Sequence, residues 1–152
     1  MTPEEILQLA SEWHGILIVR PQPGDGSPEI AWGDTFLYYE PGGVMPTNRQ
    51  PFATIVTKDY PDDSRSELDR DGVFRVNLHP GREAFDRVAS ILGDDPSELD
   101  RVILHPVYGT AGWLAVLNPS QNTAALTAEL LRDAYERDRR RVERRAIGTL
   151  DS

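Results

Sequence analysis

The chain has 152 residues and a mass of 17.0 kDa, the size of one domain whose folding buries roughly 70% of its unfolded surface without help from disulfides or a structural metal. It contains no cysteine, which excludes disulfides, zinc ribbons, iron–sulfur clusters and thiol nucleophiles, and no apolar run approaches the roughly 20 residues of a membrane helix. A net charge of −9 disfavours nucleic acid and anionic membrane, both polyanions held largely through Lys and Arg.

The first predicted element is a helix. Thr2 is a good N-cap, Pro3 stands at the first helical position, and Glu5 completes a capping box. Met1 and Ile6 can staple the entry, and Ile6, Leu9, Ala10 and Trp13 fall on one face. His14-Gly15 ends it, since glycine commonly follows a helix. The acidic start lacks the positive n-region of a signal peptide, so a cytoplasmic location is expected.

Strand-like runs follow, each bounded by turn residues. Ile16–Val19 precedes the loop Pro21–Pro28. Thr35–Glu40 follows Trp32-Gly33-Asp34, where Gly33 suggests a bulge or hairpin turn. Phe52–Thr57 comes after a Gly-rich connection, which favours an antiparallel pair. The polar stretch Asp59–Gly72 has room for a helical turn. In Val73–Leu78 the alternation puts Phe74, Val76 and Leu78 towards the core, with Val73, Arg75 and Asn77 on the other face.

A second helix is predicted over about Pro80–Leu92, stopped by Gly93, and a short one from the cap pattern Asp95-Pro96-Ser97-Glu98. Pro106 breaks the run Val102–Tyr108, and Trp113–Asn118 is the last strand. A final helix, about 122–146, buries Leu126, Leu130, Leu131, Ala134 and Tyr135. Beyond Tyr135 only Val142 and Ala146 are apolar, so about 16 Å of helix is expected to project, with a flexible tail at 147–152. Strands segregated from helices predict a single α+β domain over 1–146, one antiparallel β-sheet flanked by N-terminal and C-terminal helices.

This layout resembles the MmcQ/YjbR family, whose fold is grouped with the frataxin (CyaY-like) fold. The resemblance rests on the Met1–Ile6 opening, Trp32-Gly33-Asp34, the pair Thr35–Glu40 and Phe52–Thr57, and Phe74–Leu78 leading into a helix. His105-Pro106-Val107-Tyr108 before Trp113–Val116 and the closing helix with Leu130-Leu131 and Ala134-Tyr135 complete it. The wording is also similar to a subgroup described only as a domain of unknown function. The connections Glu40–Gln50 and Asp59–Gly72 are longer than the family pattern, and the lysine-rich approach to the tryptophan strand is missing. The resemblance implies the α+β fold, a loose link to DNA through shape, and no assigned reaction. Frataxins hold iron on an acidic helix face. Here the first helix offers only Glu4, Glu5 and Glu12, two of them serving the cap and dipole, so no iron, metal or other cofactor is expected.

No H-E-x-x-H, P-loop or G-x-S-x-G pattern occurs, so the expectation is a binding module for a small molecule or protein partner rather than an enzyme. Arg75, Asn77 and His79 form an i, i+2, i+4 row ending at a helix start, a candidate anion-binding edge or else a solvated sheet face. His79 and His105 each precede proline. An alternative uses either histidine with Asp59 as an acid/base pair. Tyr108 and Trp113, with Trp32, Tyr38 and Tyr39, either fill the core or line an apolar pocket near Arg75, Asn77 and His105. Asp62-Asp63 and Asp94-Asp95 read as solvated loop charge. Arg137, Arg140, Arg141 and Arg144 form a basic stripe, supported by expected i, i+4 pairs Asp133–Arg137 and Glu136–Arg140. As a third alternative, this stripe docks an acidic partner or a phosphate backbone.

Overall fold

A computed structural model describes residues 1–151, with side-chain surroundings through residue 148. The architecture is α+β: six strands form one antiparallel sheet, with a helix at each end of the chain packed against it. Helix α1 (Pro3–Ser11) carries the predicted capping box, with Thr2 Oγ1 accepting from Glu5 N and Glu5 Oε1 accepting from Thr2 N, both at 3.1 Å. Its buried residues are Ile6, Leu7 and Ala10, whereas the predicted Leu9 is exposed. The inward stripe is therefore turned by part of a helical step towards Leu7. Gly15 stands at φ +72°, where a Cβ would come within 2.5 Å of the Tyr39 ring.

Strands β1 (Ile16–Val19), β2 (Thr35–Tyr39), β3 (Ala53–Val56), β4 (Arg75–Leu78), β5 (Val102–Leu104) and β6 (Leu114–Leu117) lie in the order β1-β2-β3-β4-β6-β5. Helix α2 (Arg82–Val88) continues into a 3₁₀ turn, and α3 (Ala124–Asp151) closes the chain. The sequence predicts α2 from Pro80, but Gly81 at φ +97° turns the chain first. Asp95-Pro96-Ser97-Glu98 forms a turn instead of a helix, with the Asp95 carboxylate accepting from Ser97 N and Oγ. Asp59–Gly72 is likewise a run of turns. Helix α3 continues to Asp151, where a tail from 147 is predicted; Ser152 lies outside the described residues.

The two-residue period of a strand separates two faces. One carries Leu37, Tyr39, Ala53, Ile55, Val76, Leu78, Val102, Leu114 and Val116, packed on residues of α1, α2 and α3. The other carries Phe36, Tyr38, Thr54, Val56, Arg75, Asn77, Ile103, Ala115 and Leu117. No helix covers it. Its β5–β6 end is sealed by Leu68 and Tyr60 from the 59–72 loop, which pack on Val56, Ile103, Ala115 and Leu117. Towards β1 it remains concave.

Helix α3 docks further than its apolar residues foretell. Asp138 is buried, accepts from Tyr39 N at 2.9 Å, and receives Arg49 Nη1 on both oxygens at 2.7 and 2.8 Å. Glu143 accepts from the Tyr39 hydroxyl. The predicted projection is thus anchored at least to Glu143 by polar contacts. The expected i, i+4 pairs are also replaced: Asp133 binds Arg87 of α2 and Glu136 binds Arg132.

Candidate functional site

The bare face of the sheet holds a cavity of about 770 Å³. Its floor follows from strand register. Thr54 pairs with Asn77 and Val56 with Arg75 across β3–β4, so all four side chains rise on the same face. The walls come from three connections: Pro21–Ala31, Met45–Pro51 and Tyr60–Asp63. Phe36, Tyr38 and Tyr108 supply aromatic surface, and His105 stands at the far end.

Beneath this apolar lining runs one hydrogen-bonded chain. Asn77 Nδ2 donates to Thr54 Oγ1 at 2.9 Å, and Arg75 Nε donates to Asn77 Oδ1 at 2.7 Å. Arg75 Nη1 donates to Asp63 Oδ1 and Ser66 Oγ, both at 3.0 Å, and Nη2 donates to Asp63 Oδ2. Arg75 is 1% exposed and Asn77 3%, since the 59–72 loop folds over them. The open anion-binding edge expected from the sequence is therefore internal, and its guanidinium already has a bidentate carboxylate. Burial pushes the Asp63 carboxyl up, but the hydrogen bond and charge of Arg75, with His105 and Arg65, outweigh it and hold Asp63 below the usual aspartate value.

His105 adds a local mismatch. Its Nδ1 accepts from Val107 N at 3.1 Å and Tyr108 N at 3.0 Å. Burial first, then Arg75, lowers its pKa to about 4, so the ring is neutral. These two backbone donors assign the lone pair to Nδ1 and the single proton to Nε2. Nε2 lies 3.2 Å from Arg75 Nη2, itself a donor, and 3.9 Å from Asp63 Oδ2, beyond hydrogen-bond reach. Two buried N–H groups thus meet beside the cavity with no acceptor between them. One acceptor atom from a ligand would satisfy both.

Of the residues the sequence singles out, Arg75, Asn77, His105 and Tyr108 line this one cavity. Asp59 does not join them; its carboxylate accepts from Leu68 N at 2.8 Å and shapes the loop. The carboxylate near His105 is Asp63, which the sequence reading assigned to solvated loop charge. His79 stacks on Trp113 with ring centroids 4.9 Å apart, near Gly112 and Arg137, at a separate cleft. Trp113 is buried and bridges the two histidines, 6.4 Å from the His105 ring. Arg137 is half-buried, while Arg140, Arg141 and Arg144 are exposed.

Sequence reasoning missed Asp34. This buried carboxylate accepts from Thr57 N and Oγ1, both at 2.9 Å, from the Tyr60 hydroxyl, and pairs with Lys58 at 3.1 Å. Burial and then Asp34 push the Tyr60 phenol up, so it stays a donor and holds the cavity wall. The only cue was an aspartate at a strand start after glycine. Among the described residues no group of three or more His, Asp or Glu gathers to hold a metal ion, and no helix is long and apolar enough to cross a membrane.

Fold and cavity together define a small α+β domain with helices on one sheet face and a loop-walled pocket on the other. The chain belongs to a family of unknown function, DUF6194, whose model matches residues 1–147. No curated protein matches it, and no solved structure does. None of these comparisons bears on the resemblance to the MmcQ/YjbR family.

Proposed function

We propose that this protein binds an uncharged small molecule in the cavity on the bare sheet face. The observation that carries this reading is the pair of buried donors, His105 Nε2–H and Arg75 Nη2–H, set 3.2 Å apart at the wall of an otherwise largely apolar pocket. A carbonyl or ring-nitrogen acceptor placed between them gives His105 Nε2–H the partner it lacks, a mismatch that costs about 1–3 kcal/mol, and also takes the Nη2 hydrogen of Arg75 that Asp63 does not hold. Anions are disfavoured because Asp63 already neutralises Arg75, and Asp25 and Asp62 add negative charge at the walls. The ligand body lies against Phe36, Tyr38 and Tyr108, as apolar pockets with a few fixed polar groups require.

Thermal unfolding with matched pairs of compounds, aryl carboxamides and the corresponding carboxylic acids, tests this. The amides raise the melting temperature and the acids do not, and Val19→Trp, which fills the cavity from β1, abolishes the effect. Equal response to both members of each pair, or none to any uncharged compound, rules the reading out.

A further inference from the structure

A second site lies on the opposite side of the 48–51 segment, where α3 crosses the ends of β4 and β6. It consists of two adjoining clefts of about 320 and 540 Å³ that share His79, Ala111 and Arg137. The smaller is lined by four arginines, Arg49, Arg137, Arg141 and Arg145, against one carboxylate, Asp138. That carboxylate is fully used: both its oxygens receive Arg49, and one also receives Tyr39 N. Among the described residues, neither Arg137 nor Arg141 forms an ion pair or hydrogen bond. Arg137 is half-buried, its stem 3.2 Å from where a Gly81 Cβ would stand. Burial and the neighbouring Arg141 both disfavour its charge. In a chain of net charge −9, two adjacent cations whose neighbouring carboxylate, Asp138, is engaged by Arg49 concentrate positive potential along a concave wall. Such focusing is how clefts draw anions.

The arrangement also divides the basic stripe between two directions. Residues 137, 141 and 145 follow an i, i+4, i+8 row and face the cleft, whereas Arg140 and Arg144 point to solvent. The row therefore lines a concave cleft that opens to solvent at Arg141 and Arg145. The neutral His79 ring, stacked on Trp113, forms the wall between the clefts, and beyond it Phe85 and the 109–112 turn offer space for an organic group.

We infer that this double cleft binds the phosphate group of a small phosphorylated molecule, with the dianion between Arg137 and Arg141 and its organic part along Phe85 and the 109–112 turn. A dianion matches two cations better than a single carboxylate does, and guanidinium geometry suits phosphate oxygens. This site is separate from the cavity of the proposed function and stands or falls without it.

The probes are inorganic phosphate and phenyl phosphate, titrated by calorimetry and by amide and indole NMR at ionic strength matched with sodium chloride. The expected result is saturable binding that shifts the Trp113 indole N–H. Arg137→Gln or Arg141→Gln weakens it roughly tenfold, as loss of a charge-assisted contact does, and Arg144→Gln changes it less than about twofold. Tighter binding of phenyl phosphate places the organic group in the second cleft, and equal binding assigns the site to free phosphate. Arg141 is exposed, so its variant keeps the test valid should Arg137→Gln unfold. The inference is overturned if sodium chloride alone reproduces the response, if Arg144→Gln weakens binding as much as Arg141→Gln, or if only an oligonucleotide binds.

Discussion

At residue scale the most constrained group is Arg75. A guanidinium taken out of water survives only where its hydrogens and charge are matched, and here Asn77, Ser66 and Asp63 do most of that work. Removing Asp63 leaves the cation buried and unmatched. Asp63→Asn is therefore expected to destabilise by about 3–5 kcal/mol, measured by urea unfolding. The double variant Arg75→Met/Asp63→Leu is expected to lose less than Asp63→Asn alone, because it removes both charges together. If the double variant is the less stable of the two, the pair is a net source of stability and not a mutually dependent couple. A contrasting case is Asp133, whose bridge to Arg87 is substantially exposed. Asp133→Ala is expected to shift stability by no more than about 1 kcal/mol.

At the scale of elements, the docking of α3 divides into two regimes. Up to Tyr135 the helix is held by apolar burial of Leu130, Leu131, Ala134 and Tyr135. Beyond it, Asp138 takes over through Tyr39 and Arg49. Asp138→Ala is expected to cost about 3 kcal/mol and to speed amide exchange over residues 139–148, leaving 126–134 protected. Uniform loss of protection along the helix would mean that Asp138 supports the whole of α3. The same contrast explains what could be read beforehand. Five of the six strands, the first cap and the inward residues of α3 announce themselves through local signals: β-branched runs, glycine and proline punctuation, and 3.6-residue spacing; β5, three residues long and cut short by Pro106, reads only as a broken run. The opposed faces of Val76 and Arg75 follow from alternation alone. What local signals cannot carry is where a loop comes to rest. Asp63, Ser66 and Leu68 sit in a stretch with no periodicity, yet they turn a nominally solvated strand face into a buried network. Asp138 and Asp34 are similarly opaque, since a charged residue normally marks the surface and only a distant partner reverses that. The predicted helix at Asp95 shows the converse: a cap pattern without enough apolar residues behind it makes an Asx turn and stops.

For the whole molecule, two electrostatic effects oppose each other as pH falls. Net charge shrinks from −9 towards zero at a pI near 4.7, which relieves self-repulsion and by itself favours the compact state. His79 and His105, however, are both held neutral in the fold, with pKa values of about 4 caused first by burial and then by neighbouring arginines. In the unfolded chain they titrate at their ordinary value near 6.5. Between these values the unfolded state binds protons that the native state refuses, so their contribution is intact above pH 6.5 and is lost as pH falls towards 4. At about 1.4 kcal/mol per unit, His105 alone accounts for a loss on the order of 2 kcal/mol between pH 7 and the isoelectric point. Salt at 0.15 M, with a Debye length of about 8 Å, weakens the repulsive effect far more than the buried one. Below pH 4, Asp63 and Asp100, both held under the usual aspartate value despite burial, extend the loss. Urea unfolding at 0.15 M salt is thus expected to find the protein less stable at pH 4.7 than at pH 7. His105→Asn keeps an acceptor for Val107 and Tyr108 while removing the titration, so it flattens this slope. A stability maximum at the isoelectric point, or an unchanged slope in His105→Asn, would show that the imidazole is not the buried neutral group on which the cavity's donor pair depends.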